Sequence, residues 1–192
     1  MFGTLAIVMA MALPQAATGV EEKVKSDVSA EVAQTKLGGM WYEGFVDPDG
    51  NIEGCQVLVA VGDGDAAGKV CEKIVGRRAI PARDNDGKRT YGYYLGSFSF
   101  SPEVPQMPAS VLQSGLTFAA KGLPEGKAQR IGIAVSVDDK GKVTACESGI
   151  ESALAKVACQ QVQGMDMPVG KSKKGETIAY LRPLIVEFQP DG

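Results

Sequence analysis

Two segments of this chain repeat one pattern: Phe45-Val-Asp-Pro-Asp-Gly-Asn-Ile-Glu-Gly-Cys55 and Ser136-Val-Asp-Asp-Lys-Gly-Lys-Val-Thr-Ala-Cys146. In both, an apolar strand end leads into an Asp-Gly turn, and an apolar residue and a cysteine follow. Each copy holds a second cysteine further on, Cys71 and Cys159. The period of about ninety residues is too long for a solenoid unit and indicates a duplicated small domain.

The four cysteines predict two disulfides. Three pairings are possible in principle, and the duplication selects Cys55 with Cys71 and Cys146 with Cys159, because each copy should close on itself. Disulfides persist in oxidising compartments, so the cysteines indicate export. A zinc site is disfavoured, because the cysteines form no C-x-x-C pairs and the chain has no histidine. We therefore predict no metal and no cofactor.

The N-terminus has the composition of a secretory signal. Residues 2–13 are nearly all apolar, too few to span a bilayer, and small residues follow at 16–19. We predict a signal peptide over 1–19, periplasmic localisation and no transmembrane segment after cleavage. The other reading is a disordered or core-packed N-terminus. A net charge of -3 with interspersed acids and bases argues against a nucleic-acid partner.

Residue periodicity predicts the order strand, turn, strand, helix, loop, strand in each copy. In the second copy, Ser148-Gly-Ile-Glu151 resembles a capping box that opens the helix, and Pro183 in the last strand suggests an edge position or a bulge. The fold class we predict is α+β, with two tandem small domains, each an antiparallel sheet packed by a helix and closed by one disulfide. The predicted divisions are a signal peptide (1–19), a polar tether (20–35), domain 1 (36–100), a Pro-rich linker (101–110) and a divergent domain 2 (111–190).

Enzymatic motifs are lacking. Without histidine the chain has no Ser-His or Cys-His pair, and it carries no glycine-rich phosphate loop. The Asp-Gly clusters do not follow the EF-hand pattern and are predicted to be turns. We predict that the protein is not an enzyme. A hydrolase that uses a pair of carboxylates is the remaining enzymatic alternative.

The first copy also contains Pro81-Ala-Arg-Asp-Asn-Asp-Gly87 before its last strand. With the element order and the Asp-x-Asp-Gly turn, it resembles the C-terminal domain of TonB-family energy transducers. The resemblance covers 36–100 well and 130–189 loosely, where Val137-Asp138, Gly141, Val143, Pro168 and Gly175 remain. In that family the domain adds an extended segment of an outer-membrane transporter to the edge of its sheet, which is β-augmentation.

The resemblance implies a non-enzymatic, periplasmic protein- or peptide-binding module, accessory to outer-membrane transport. Its partner would be an outer-membrane or periplasmic protein, and a homodimer is an open alternative. The matching edge is the last strand of either copy, 91–100 or 178–188, and the predicted partner-binding residues are Tyr91, Tyr93, Leu95, Ser97 and Phe98. The side chains of Tyr94, Phe98 and Phe100 are expected in the core.

One alternative function follows from the same two edges. The protein could be a structural envelope component whose repeats pair edge to edge and bury both. Family transducers carry a membrane anchor and a long Pro-rich spacer, and this sequence shows neither pattern. We therefore expect binding rather than energy transduction.

Overall fold

The computed structural model describes residues 18–20, 37–99 and 116–191. Most of the predicted signal peptide, nearly all of the polar tether, the linker and Phe100 lie outside these ranges. No helix within them is long and apolar enough to cross a bilayer. The elements are β1 (Thr18–Val20), β2 (Gly39–Val46), β3 (Ile52–Val61), α1 (Gly64–Ile74), β4 (Ala79–Ile80), β5 (Ala82–Arg83), β6 (Arg89–Ser99), β7 (Leu116–Ala120), β8 (Gln129–Val137), β9 (Val143–Glu147), α2 (Ala153–Val162), β10 (Gly170–Lys171), β11 (Thr177–Ile178) and β12 (Tyr180–Pro190).

One large sheet runs through both copies. The strand order is β3-β2-β6-β12-β8-β9, with β5 beside β6 and β7 beside β12. The last strands of the two copies join the halves through a short parallel ladder, Tyr180 beside Tyr91 and Leu181 beside Gly92. The described part of the chain is thus mixed α/β with two α-helices, and the strands of the two predicted domains share a single sheet. The short strands β1 and β4 pair antiparallel, separately from it.

The predicted disulfides are confirmed. Cys55 bonds to Cys71 and Cys146 bonds to Cys159, at sequence separations of 16 and 13. Each bridge ties the second strand of its copy to the helix that follows. No cysteine is left free.

The duplication extends to individual hydrogen bonds in the turns. The Asp47 amide donates to the Asn51 carbonyl, and the Asp138 amide donates to the Lys142 carbonyl, both at 2.9 Å. The same carboxylates accept the amides of Asn51 and Lys142, both at 2.8 Å. The Lys142 amide, followed by other backbone donors of the turn, holds the pKa of the Asp138 carboxyl below its usual range.

Both helices begin at a side-chain cap. Asp63 caps α1 by accepting the Ala66 amide at 3.1 Å. The predicted capping box at Ser148–Glu151 is wrong, because Ser152 caps α2 by accepting the Ala155 amide at 3.0 Å. Ile150 therefore precedes the helix, and its side chain is exposed.

The two helices pack on opposite faces of the sheet. Along β12, Leu181 belongs to the core that contains α1, and Tyr180 belongs to the core that contains α2. Successive residues of a strand point to opposite faces, so the two cores lie on opposite sides. The predicted core residues Tyr94 and Phe98 are confirmed as buried, on the α1 side. On the α2 face of the first copy, the described residues form no helix.

Gly50 and Gly141 fix the two repeated turns, because both have positive φ, +90° and +85°. A Cβ at Gly50 would also lie 2.6 Å from the Ala79 carbonyl oxygen. We expect Gly50→Ala to lower the free energy of unfolding by at least ~2 kcal/mol, through the left-handed conformation and the clash together. Gly87→Ala is the matched control, because its φ is +75° with no atom within 4 Å, and it should cost about 1 kcal/mol. Equal losses in urea unfolding would show that the close approach has no effect.

Removal of either disulfide should destabilise the protein. On the chain-entropy account, loops of this length contribute about 3 kcal/mol each. We expect Cys55→Ser/Cys71→Ser and Cys146→Ser/Cys159→Ser to lose similar amounts in urea unfolding, because the loops differ by only three residues. A loss well under 1 kcal/mol in either variant would contradict this.

Candidate functional site

The predicted binding strand β6 is paired along one side over most of its length. Gly92–Ser99 pair antiparallel with β2. On its other side, the ladder with β12 covers only Tyr91 and Gly92. From Tyr93 to Ser97 that side has no ladder partner among the described residues. Within the described ranges, these five residues are therefore paired on one side only.

Four of the five predicted binding side chains share the face opposite α1. Leu95 is 37% exposed and Ser97 is exposed, while Tyr91 and Tyr93 are half-buried. The fifth residue, Phe98, points to the other face and stacks on Tyr42 with ring centroids 5.4 Å apart. Phe98 can therefore offer only its backbone at this edge.

The second predicted edge, on β12, is more fully occupied. Tyr180–Phe188 pair with β8 on one side. The other side pairs with β6 at Tyr180 and Leu181, and with β7 over Val186–Pro190. Pro183 falls between these two contacts, where β12 has a single ladder partner within the described ranges. The proline thus occupies a locally edge-like position, and β6 offers the longer unpaired stretch.

A cavity of about 400 Å³ lies between the two copies, next to Tyr93 of β6. Its strand wall comes from β2, β3 and Tyr93 of β6, and its other wall is the loop Lys171–Lys173 of the second copy. Lys173 is held there, because its amide donates to the Glu53 carboxylate at 3.2 Å. The cavity therefore depends on contact between residues far apart in sequence.

An ion pair between the copies lies next to this cavity. Arg182 of β12 donates to Glu43 of β2 at 2.7 Å, and the two side chains are 16% and 18% exposed. The guanidinium also lies over the Tyr93 ring, 4.8 Å from its centroid. Burial raises the pKa of the Tyr93 hydroxyl, and the Arg182 charge works against that rise. The negative charge of Glu43 is already paired with the positive charge of Arg182.

The strand wall of the cavity carries two carboxylates, those of Glu43 and Glu53. Burial is the main cause of the raised pKa of Tyr91, and the charges of Glu53, Asp47, Glu176 and Asp49 add to it. The facing loop carries Lys171 and Lys173, both exposed. The cavity therefore has an acidic and a basic side. In the described part of the chain, no three acidic or cysteine side chains converge as a metal site requires.

Sequence reasoning identified β6 but missed the cavity. Glu43, Glu53, Lys171 and Arg182 are scattered through both copies, and no local spacing relates them. The basic run Lys171-Ser-Lys-Lys174 was the one visible signal. The strand residues that face this run, Glu43 and Glu53, come near it only when the two halves of the sheet join.

The comparisons give no relative from which a role could be transferred. No protein-family model, curated protein or solved structure matches this chain. The candidate site therefore rests on its own geometry.

We expect the Arg182–Glu43 pair to stabilise the contact between the copies. Arg182→Met should lower the free energy of unfolding by about 3 kcal/mol, because Glu43 would remain partly buried without its cation. Arg182→Met/Glu43→Gln should recover most of that loss, since no charge is left unpaired. Urea unfolding of both variants measures the difference. An equal loss in the single and double variants would mean that Arg182 acts through packing alone.

Proposed function

We propose that the protein is an exported, non-enzymatic binding module of the cell envelope. It takes an extended segment of an outer-membrane or periplasmic protein as an added strand along β6. The observation that carries this proposal is the unpaired side of Tyr93–Ser97 within the described ranges. The partner's backbone would pair with this side, and such main-chain hydrogen bonds are the source of affinity in strand addition.

Selectivity would come from the side chains of Tyr93, Leu95 and Ser97. They follow each other at every second position on the face that lacks a helix, so alternate side chains of an added strand would pass beside them. The similarity of the first copy to the TonB C-terminal domain supports the same strand and suggests a role accessory to outer-membrane transport. The two disulfides support an oxidising compartment such as the periplasm.

A second candidate is a structural role, in which the repeats mainly serve to bury each other's edges. The ladder between β6 and β12 favours it, since the last strands of the copies do pair at Tyr91 and Gly92. The two candidate functions differ in the backbone groups on the outer side of 93–97. These groups are accessible to a partner strand in the first and protected in the second.

Leu95→Lys tests the binding function. A photo-crosslinking residue placed at Ser97 of the oxidised protein should capture an envelope protein through an extended segment, identified by mass spectrometry. We expect Leu95→Lys to reduce the crosslinked product at least about tenfold, because a lysine at the edge opposes pairing with an apolar strand. Both positions are exposed, so the fold should change by less than ~0.5 kcal/mol.

Val157→Lys is the matched control, because Val157 lies on α2 and is also 37% exposed. Equal loss of the crosslink in both variants would contradict binding along β6. Amide hydrogen exchange of the free protein separates the candidates. Fast exchange at alternate residues of 93–97 supports binding, whereas uniform protection supports the structural role.

A further inference from the structure

The cavity between the copies differs from the β6 edge in position and chemistry. It opens over β2 and β3, and it holds charged groups of both signs. Its volume of about 400 Å³ falls in the range of small-molecule sites. We propose that it binds the zwitterion of a free α-amino acid with an apolar side chain. This proposal does not depend on the strand-addition function.

The ammonium group of the ligand would meet the strand wall. Glu43 is neutralised by Arg182, so Glu53 supplies the free negative charge at the cavity. One oxygen of Glu53 accepts the Lys173 amide at 3.2 Å, which fixes the carboxylate and leaves its other oxygen available. The charges of Asp47 and Asp49 add to the negative field near Tyr91 from the strand side, and Glu176 adds to it from the hairpin that carries Lys171 and Lys173. A carboxylate held in this way is a suitable acceptor for an ammonium.

The carboxylate of the ligand would meet the loop wall. Lys171 and Lys173 both line the cavity, and no ion pair with a described residue is recorded for either. They flank Ser172, which is buried and holds the loop through the bond from its amide to the Glu176 carbonyl at 2.9 Å. Two cations on one side and one free carboxylate on the other match a ligand that carries both charges.

The space between the charged walls suits an apolar side chain. Gly54 leaves this part of the strand wall without a side chain, and the rings of Phe45 and Tyr93 stand beside it with centroids 4.8 Å apart. Aromatic walls favour a second ring through offset or edge contacts. An aromatic amino acid therefore makes a suitable probe.

Calorimetric titration with three forms of one compound tests the charge pattern. At about pH 6, L-phenylalanine is a zwitterion, its methyl ester a cation and N-acetyl-phenylalanine an anion. We expect the zwitterion to bind with a dissociation constant on the order of 1 mM, which suits twelve non-hydrogen atoms. Each singly charged form should bind at least about fivefold more weakly, which is the worth of one exposed ion pair.

Charge variants test which charged group of the ligand contacts which wall of the cavity. Glu53→Gln should weaken phenylalanine and its ester but not the acetylated form, and it keeps an acceptor for the Lys173 amide. Lys171→Gln/Lys173→Gln should weaken phenylalanine and the acetylated form but not the ester. Equal binding of the three forms to the parent protein, or no binding of phenylalanine at ten times the expected constant, would overturn the proposal.

Filling the cavity provides a test that does not involve charge. At Gly54 a Cβ would lie 3.9 Å from the Cβ of Phe45, which is an ordinary contact, so Gly54→Val should fold and abolish binding. Gly132→Val is the control, because Gly132 lies on β8 with no atom within 4 Å of an added Cβ. Unchanged binding in Gly54→Val would place the ligand elsewhere and refute the site. Leu95→Lys should bind phenylalanine normally, so failure of this site and of strand addition are distinguishable.

Discussion

The short parallel ladder between β6 and β12 determines how the two copies are arranged. It brings Tyr91 beside Tyr180 and Leu181 beside Gly92, and it thereby joins two three-stranded units into one sheet. Because the joined strands are parallel and equivalent in the repeat, the helices fall on opposite faces. Arg182 on β12 reaches Glu43 on β2 because this ladder places β12 next to β6, and β6 in turn pairs with β2. The cavity and the half-open side of β6 both follow from it.

Because the helices lie on opposite faces, each copy has one face on which the described residues place no helix, and these two faces differ in chemistry. On the first copy this face carries Phe45, Tyr93 and the exposed Leu95. On the second copy, the corresponding surface carries the Arg130–Glu187 ion pair and the side chain of Ser148, which donates to the Gly132 carbonyl. The polar surface is suited to water, whereas the aromatic one is suited to a ligand or partner.

Local features of the fold could be predicted from the sequence, because neighbouring residues determine them. The Asp-Gly turns, the Asp63 cap and the disulfides all follow from spacing within one copy. The start of α2 was predicted wrongly, because Ser148 and Ser152 are both plausible caps and packing decides between them. The β6–β12 ladder and the cavity involve residues 80 to 130 positions apart, and no local pattern encodes such contacts.

Within the described residues, the two equivalent edges of the duplication differ in how fully they are paired. Both copies end in a long strand, and an unpaired long strand invites unwanted pairing. On β12 that hazard is met within the chain, since β7 pairs with Val186–Pro190 and Pro183 interrupts the stretch before it. On β6 the described residues supply no equivalent of β7, and the strand carries no proline. Within the described ranges, the chain therefore pairs one copy of this edge more fully than the other. The second copy also places charged side chains against the first, since Lys171 and Lys173 line the cavity and Arg182 pairs with Glu43.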